Sequence, residues 1–187
     1  RKAGAHVDAA IDRWVWYAGW ADKYAQVIGN TNPVAGPFFN FSVPEPTGVV
    51  AAVAPQDASI SGLVSVVAPI IVTGNAVIVM PSSSRPIPAI TLAECLATSD
   101  VPAGVVNILT GAPAEVMPWL AEHADVNALD LTGIVDEAVA ADLERSAAGT
   151  VKRVRGAAPH ADWQATPSLS RMRAFVEVKT VWHPMGV

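Results

Sequence analysis

Residues able to do chemistry are few in this chain of 187 residues, and they form no familiar catalytic constellation. The only cysteine, Cys95, sits mid-helix in LAECLAT beside Glu94. A neighbouring carboxylate disfavours the thiolate, so Cys95 reads as a small buried hydrophobe and not as a nucleophile. His6, His123, His160 and His183 lack the spacing of a zinc site and have no cysteine beside them. Ser82, Ser83 and Ser84 follow one apolar run and could hydrogen-bond a phosphate or a ribose. Asp57 follows another and would favour a cationic or hydroxyl-rich ligand. No G-x-G-x-x-G fingerprint is present, which leaves a conventional Rossmann pyrophosphate site without support.

The serines and Asp57 lie in loops, and the elements around those loops follow from the hydrophobic pattern. Residues 48–55 and 76–80 are too apolar to alternate, as expected of strands covered on both faces. Further strands are expected at 105–109, 126–131 and 151–154, with helices at 63–71, 87–99, 115–123 and 136–146. Strand and helix alternate about five times, which implies an α/β, three-layer domain: a parallel sheet with helices on both faces. In such a sheet the ligand crevice lies beyond the strands' carboxyl ends. Residues 55–62, 80–84, 111–114 and 133–136 would line it.

Residues 5–28 predict one amphipathic helix, with Val7, Ile11, Trp14, Val15 and Ala18 at three-to-four spacing. Its aromatic side chains, like Trp119 and Trp163, read as packing residues. Residues 29–43 carry Pro33, Gly36 and Pro37 and look like turn and edge-strand material. Residues 156–170 are small, polar and proline-bearing, a linker. Residues 172–182 alternate as a strand without a nearby hairpin partner, so this strand is expected to pair with the main sheet or with another chain. The organisation expected is therefore a body over 1–155, a linker over 156–170 and a terminal strand over 171–187, with 29–43 and 171–187 forming a small β oligomerisation appendage.

The formal net charge is −5, yet residues 151–187 are basic, with Lys152, Arg153, Arg155, Arg171, Arg173 and Lys179 against Asp162 and Glu177. No basic–aromatic stripe points to nucleic acid. No apolar run reaches the roughly 18 residues of a membrane span. The N-terminus shows no signal pattern, although the chain opens on Arg1, and a single cysteine suits a reducing cytoplasm.

In order and spacing, PEPTGVVAAVAP (44–55), APIIVTGNAVIVMPSSSRPIP (68–88), VPAGVVNILTG (101–111) and VNALDLTG (126–133) resemble the NAD(P)-binding domain of the aldehyde dehydrogenase superfamily. The resemblance implies that fold, and it also locates the departures. After Pro55 the family carries Trp-Asn, whose amide helps hold an oxyanion; here stand Gln56 and Asp57. The family's Lys-Pro and a Glu two residues past the proline contact the adenosine ribose; here stand Met80, Pro81 and Ser83. After Leu131-Thr132-Gly133 the family has Ser, and here Ile134 follows. The family's Glu-Leu-Gly-Gly-Lys run, with its general base, gives way to Arg155-Gly156-Ala157. Nothing resembles the domain that carries the family's nucleophilic cysteine. Gln56, Asp57, Met80, Pro81, Ser83, Gly111, Gly133 and Ile134 thus mark a degraded cofactor site, with no catalytic and no metal-binding residue. FVEVKTVW (175–182) resembles the family's late strand, which in dimers pairs with the neighbouring subunit's catalytic domain.

What the resemblance implies is a non-catalytic aldehyde-dehydrogenase-like subunit. It would assemble with itself or with a full-length aldehyde dehydrogenase through its terminal strand, touching neither nucleic acid nor membrane. No cofactor is expected. The alternative is an NAD- or NADP-binding component of an aldehyde-oxidising enzyme whose cysteine comes from another chain. A third is a regulatory module with another small ligand in the old crevice. Asp57→Asn alone is expected to restore no dehydrogenase activity, since nucleophile and base are both missing. NAD-dependent aldehyde oxidation by that purified variant would contradict this reading.

Overall fold

The strands over 49–53 and 76–80 are apolar throughout because both of their faces are covered. The computed structural model describes residues 2–158 and 161–186. Arg1, Pro159, His160 and Val187 lie outside the described residues, and so do the expectations placed on Arg1 and His160.

The chain runs α1 (Lys2–Ala18), α2 (Tyr24–Ile28), β1 (Asn30–Asn32), β2 (Phe38–Pro46), β3 (Val49–Val53), α3 (Ser59–Ile71), β4 (Ala76–Met80) and α4 (Ile87–Ala97). It continues through β5 (Val106–Ile108), α5 (Pro113–Glu122), β6 (Ala128–Asp130), α6 (Glu137–Ala148), β7 (Arg153–Arg155), α7 (Leu169–Arg173) and β8 (Val176–Pro184). The single helix expected over 5–28 is in fact two, α1 and α2, parted by turns at Gly19–Lys23. Glycine is a poor helix residue and breaks the run there.

Five strands form a parallel sheet in the order β5-β4-β3-β6-β7. Alternate residues of β3 enter opposite layers. Val50 and Ala52 pack with Leu63, Val66, Val67 and Ile70 of α3. Ala51 and Val53 pack with Met117 of α5 and Ala140, Leu143 and Ala147 of α6. Helix α1 lies outside α3, with Tyr17 buried against Val64, Ala68 and Met172. This is the α/β three-layer architecture expected. No helix among the described residues is long and apolar enough to cross a membrane.

A second sheet of three antiparallel strands has the order β1-β2-β8. Strand β8 pairs with β2 over nine positions, from Phe38↔Pro184 to Pro46↔Val176. It therefore joins neither the main sheet nor, along this edge, another chain. Cross-strand side chains fasten the pair: Phe38 and Trp182 meet edge to face at 5.8 Å, the Ser42 and Thr180 hydroxyls stand 2.9 Å apart, and Lys179 Nζ reaches Glu45 Oε1 at 3.2 Å. The stretch read as a linker is anchored as well. Trp163 is buried, and the Ala158 N–H donates to the Thr132 carbonyl.

Helix α6 starts at a side-chain cap. The Asp136 carboxylate accepts from the Ala138 N–H (2.8 Å) and the Val139 N–H (3.3 Å). These are donors that a helix's first turn leaves without intrahelical partners. Asp136→Ala is expected to lower stability by about 1 kcal/mol, read as a lower urea midpoint with unchanged slope. An unchanged midpoint would show that the cap contributes nothing.

Candidate functional site

Strand order places the site. From β3 the chain steps one way to β4 and β5, then crosses to the other side for β6 and β7. The loops leaving β3 and β6 must diverge, and a crevice opens between them beyond the strands' carboxyl ends. A cavity of about 250 Å³ lies there, lined by Pro55, Gln56, Asp57, Thr132, Gly133, Val135 and Ala158.

The loops beside this cavity are bound to one another. Gln56 Nε2 donates to the Ala54 carbonyl at 2.9 Å. Its Oε1 accepts from the Ser83 N–H at 2.9 Å and the Ser83 hydroxyl at 3.1 Å. The Ser82 hydroxyl donates to the Gln56 carbonyl at 2.7 Å, and the Arg85 guanidinium donates to the Asp57 carbonyl at 2.9 Å. The loop after β3 is thereby laced to the loop after β4. The Gln56 amide and the Ser82 and Ser83 hydroxyls all have partners within the chain. The Asp57 side chain is exposed at the rim.

The remaining expected positions separate into two groups. Met80, Pro81 and Ile134 are buried, and Met80 and Ile134 belong to the core beneath the crevice. Gly111 lies on the β5 side, where an added Cβ would meet Met80 Cε at 3.9 Å; its φ of +151° favours glycine. Gly133 is held by a close backbone approach. A Cβ there would stand 2.1 Å from the Ala54 oxygen, and the Gly133 N–H donates to the Val53 carbonyl at 2.9 Å. The structure thus gathers Gln56, Asp57 and Gly133 around the cavity and ties Ser83 to Gln56. Met80, Pro81, Gly111 and Ile134 do not line it.

Two residues of the site escape sequence reasoning. Arg85 follows the serine run as an isolated cation, and that was its only signal. Ala158 lines the cavity from the stretch read as a linker. Two readings are corrected. Cys95 is exposed and opens onto a groove between α1, α3 and α4, and Trp119 is exposed on α5. That groove is larger, about 630 Å³, and is lined by Val7, Ile11, Trp14, Ile60, Val64 and Leu92 among others. It is mainly apolar and reaches the rim of the crevice at Asp57 and Arg85. Among the described residues no cluster of three His, Cys, Asp or Glu could hold a metal.

Comparison with known proteins agrees with this architecture. Residues 1–157 match the family model described as aldehyde dehydrogenase family. Over 127 residues the chain is 35% identical to cytosolic aldehyde dehydrogenase 1 of Elephantulus edwardii, covering 68% of this chain and 25% of that protein. The crystal structure of PnpE from Pseudomonas sp. WBC-3 superimposes with a TM-score of 0.75 and 27% identity, over 81% of this chain and 30% of that one. An NAD⁺ complex of an aldehyde dehydrogenase from Bacillus cereus gives 0.73 and 25%, over 79% and 29%. The chain therefore spans roughly a quarter to a third of the length of these relatives.

Gly133→Ala is expected to destabilise the protein by about 3 kcal/mol, as overpacking against fixed backbone does. A melting temperature equal to that of the unchanged protein would contradict the close approach of Gly133 to Ala54.

Proposed function

Because the chain belongs to the aldehyde dehydrogenase family, we propose that it serves as a non-catalytic subunit. It assembles through β8 with a second copy of itself or with a longer member of the family. The observation that carries this reading is the second sheet. One edge of β8 is paired with β2 over nine residues, and the other has no partner among the described residues. Val178 and Trp182 stand exposed on one face of that strand. A long strand edge with exposed apolar side chains is an aggregation hazard unless another chain covers it. Adding a strand at such an edge is a general mode of association.

The crevice supports the non-catalytic half of the proposal. A dinucleotide does not fit the groups present. The cavity is smaller than the roughly 300–1,000 Å³ of ordinary small-molecule sites. The polar atoms of Gln56, Ser82 and Ser83 are consumed in joining two loops. Met80 and Ile134 offer a cofactor no hydrogen bond. The relative from Bacillus cereus holds NAD⁺ in its solved complex, but this chain is proposed to hold none. Its proposed setting is a reducing cytoplasm, where the exposed Cys95 stays a thiol.

Replacing Val178 and Trp182 together by lysine leaves the backbone pairing of β8 with β2 available while charging the exposed face. Native mass spectrometry should then show the assembly reduced to single chains. An oligomer unchanged in mass and abundance would overturn the proposal.

A further inference from the structure

Three guanidiniums converge at a corner that the crevice chemistry does not use. Arg13, on α1, is buried, and its Nη2 donates to the Trp163 carbonyl at 2.8 Å and to the Ala165 carbonyl at 2.9 Å. Arg171, on α7, places Nη1 3.6 Å from the buried Asp130 carboxylate and Cζ 4.9 Å from the centre of the Trp163 ring. Its side chain is only 11% exposed. Arg155 closes the group from the end of β7. All three charges act on the Tyr17 hydroxyl, which burial pushes up from the ordinary phenol range while the guanidiniums pull it down.

Charge and hydrogen bonding are both left unbalanced here. Asp130 is the one carboxylate among the groups that act on Arg171, set against three guanidiniums of which Arg13 and Arg171 are largely out of water and Arg155 is partly covered. Burying charge without a counter-charge is strongly unfavourable. Arg13 Nε, Arg155 Nε, Arg171 Nη1 and the Tyr17 hydroxyl are buried and have no hydrogen-bond partner among the described residues. Each of the four can donate, and three of them can only donate. The group that completes the corner must therefore accept hydrogen bonds from several directions and carry negative charge.

We infer that the Arg13–Arg155–Arg171–Tyr17 corner binds one small tetrahedral oxyanion, a sulfate or hydrogen phosphate dianion. A dianion cancels the excess charge, and its four oxygens meet donors arriving from α1, β7 and α7. A carboxylate brings a single charge and two oxygens. Guanidinium forks are the side chains best shaped for such oxygens. Arg155, only partly covered, gives the ion its way in. Asp130 fixes the floor: its Oδ1 accepts from the Thr132 N–H at 3.0 Å, while its Oδ2 faces Arg171. The bound ion would fasten 161–173 to α1 and to the ends of β6 and β7.

Equilibrium dialysis of the whole chain against radiolabelled sulfate at constant ionic strength tests this. One sulfate per chain, saturating at low millimolar concentration and displaced by inorganic phosphate but not by chloride, is the expected result. At a sulfate concentration a hundredfold above the dissociation constant, the melting temperature should rise by about 5–10 °C. Arg155→Gln changes the most accessible member, so the fold should survive, and it should weaken sulfate binding at least tenfold; Tyr17→Phe should weaken it less. Stabilisation that rises without saturating and is equal in Arg155→Gln would be the general salting effect of sulfate, and it would overturn the inference. So would the absence of bound sulfate at ten millimolar.

Discussion

The constraint on which this molecule depends is the parallel pairing of β3 between β4 and β6. Residues Val50 to Val53 are fully buried, with one helical layer above them and another below. Since the chain leaves β3 in one direction and returns to its other side at β6, the two following loops diverge. Gly133 then presses on Ala54, backbone against backbone. Sheet order, not any particular side chain, makes the crevice.

What fills the crevice mouth is this chain's own chemistry. Gln56 offers one donor and one doubly used acceptor, and Ser82, Ser83 and Arg85 complete the lacing of the loops after β3 and β4. Met80 and Ile134 sink into the core at positions where the family resemblance leads one to look for polar handles. Buried polar groups must find partners, and this loop pair finds them internally. A ligand in the cavity would meet these groups already paired. The second sheet presents the reverse case: its bonds are made on one edge of β8 and left unmade on the other.

Much of the main sheet was legible because continuous apolar runs bounded by Gly and Pro admit few other readings. Residues 76–80 and 87–97 lie within one or two residues of expectation, and even α6 begins where Asp136 could cap it. The β2–β8 pairing was not legible, since its partners lie more than a hundred residues apart and no hairpin spacing announces them. Residue type misjudged Cys95 and Trp119, for an apolar side chain on a helix does not declare whether its face is covered. The arginine corner was hidden for another reason. Arg13, Arg155 and Arg171 are scattered along the chain, and they meet only because residues 161–173 fold back on the body, a stretch whose small and polar composition reads as a linker. The site was legible as a place in the fold, from the loops at the strand ends. Its internal lacing was not, because an isolated Gln, Arg or Ser carries no pattern.

The claim that the crevice is closed by its own hydrogen bonds is tested most directly by calorimetric titration of the purified chain with NAD and with NADP. The account predicts no saturable heat with either cofactor at millimolar concentration. One cofactor bound per chain with micromolar affinity would contradict it, and would return Gln56, Ser83 and Gly133 to the role of a working dinucleotide site.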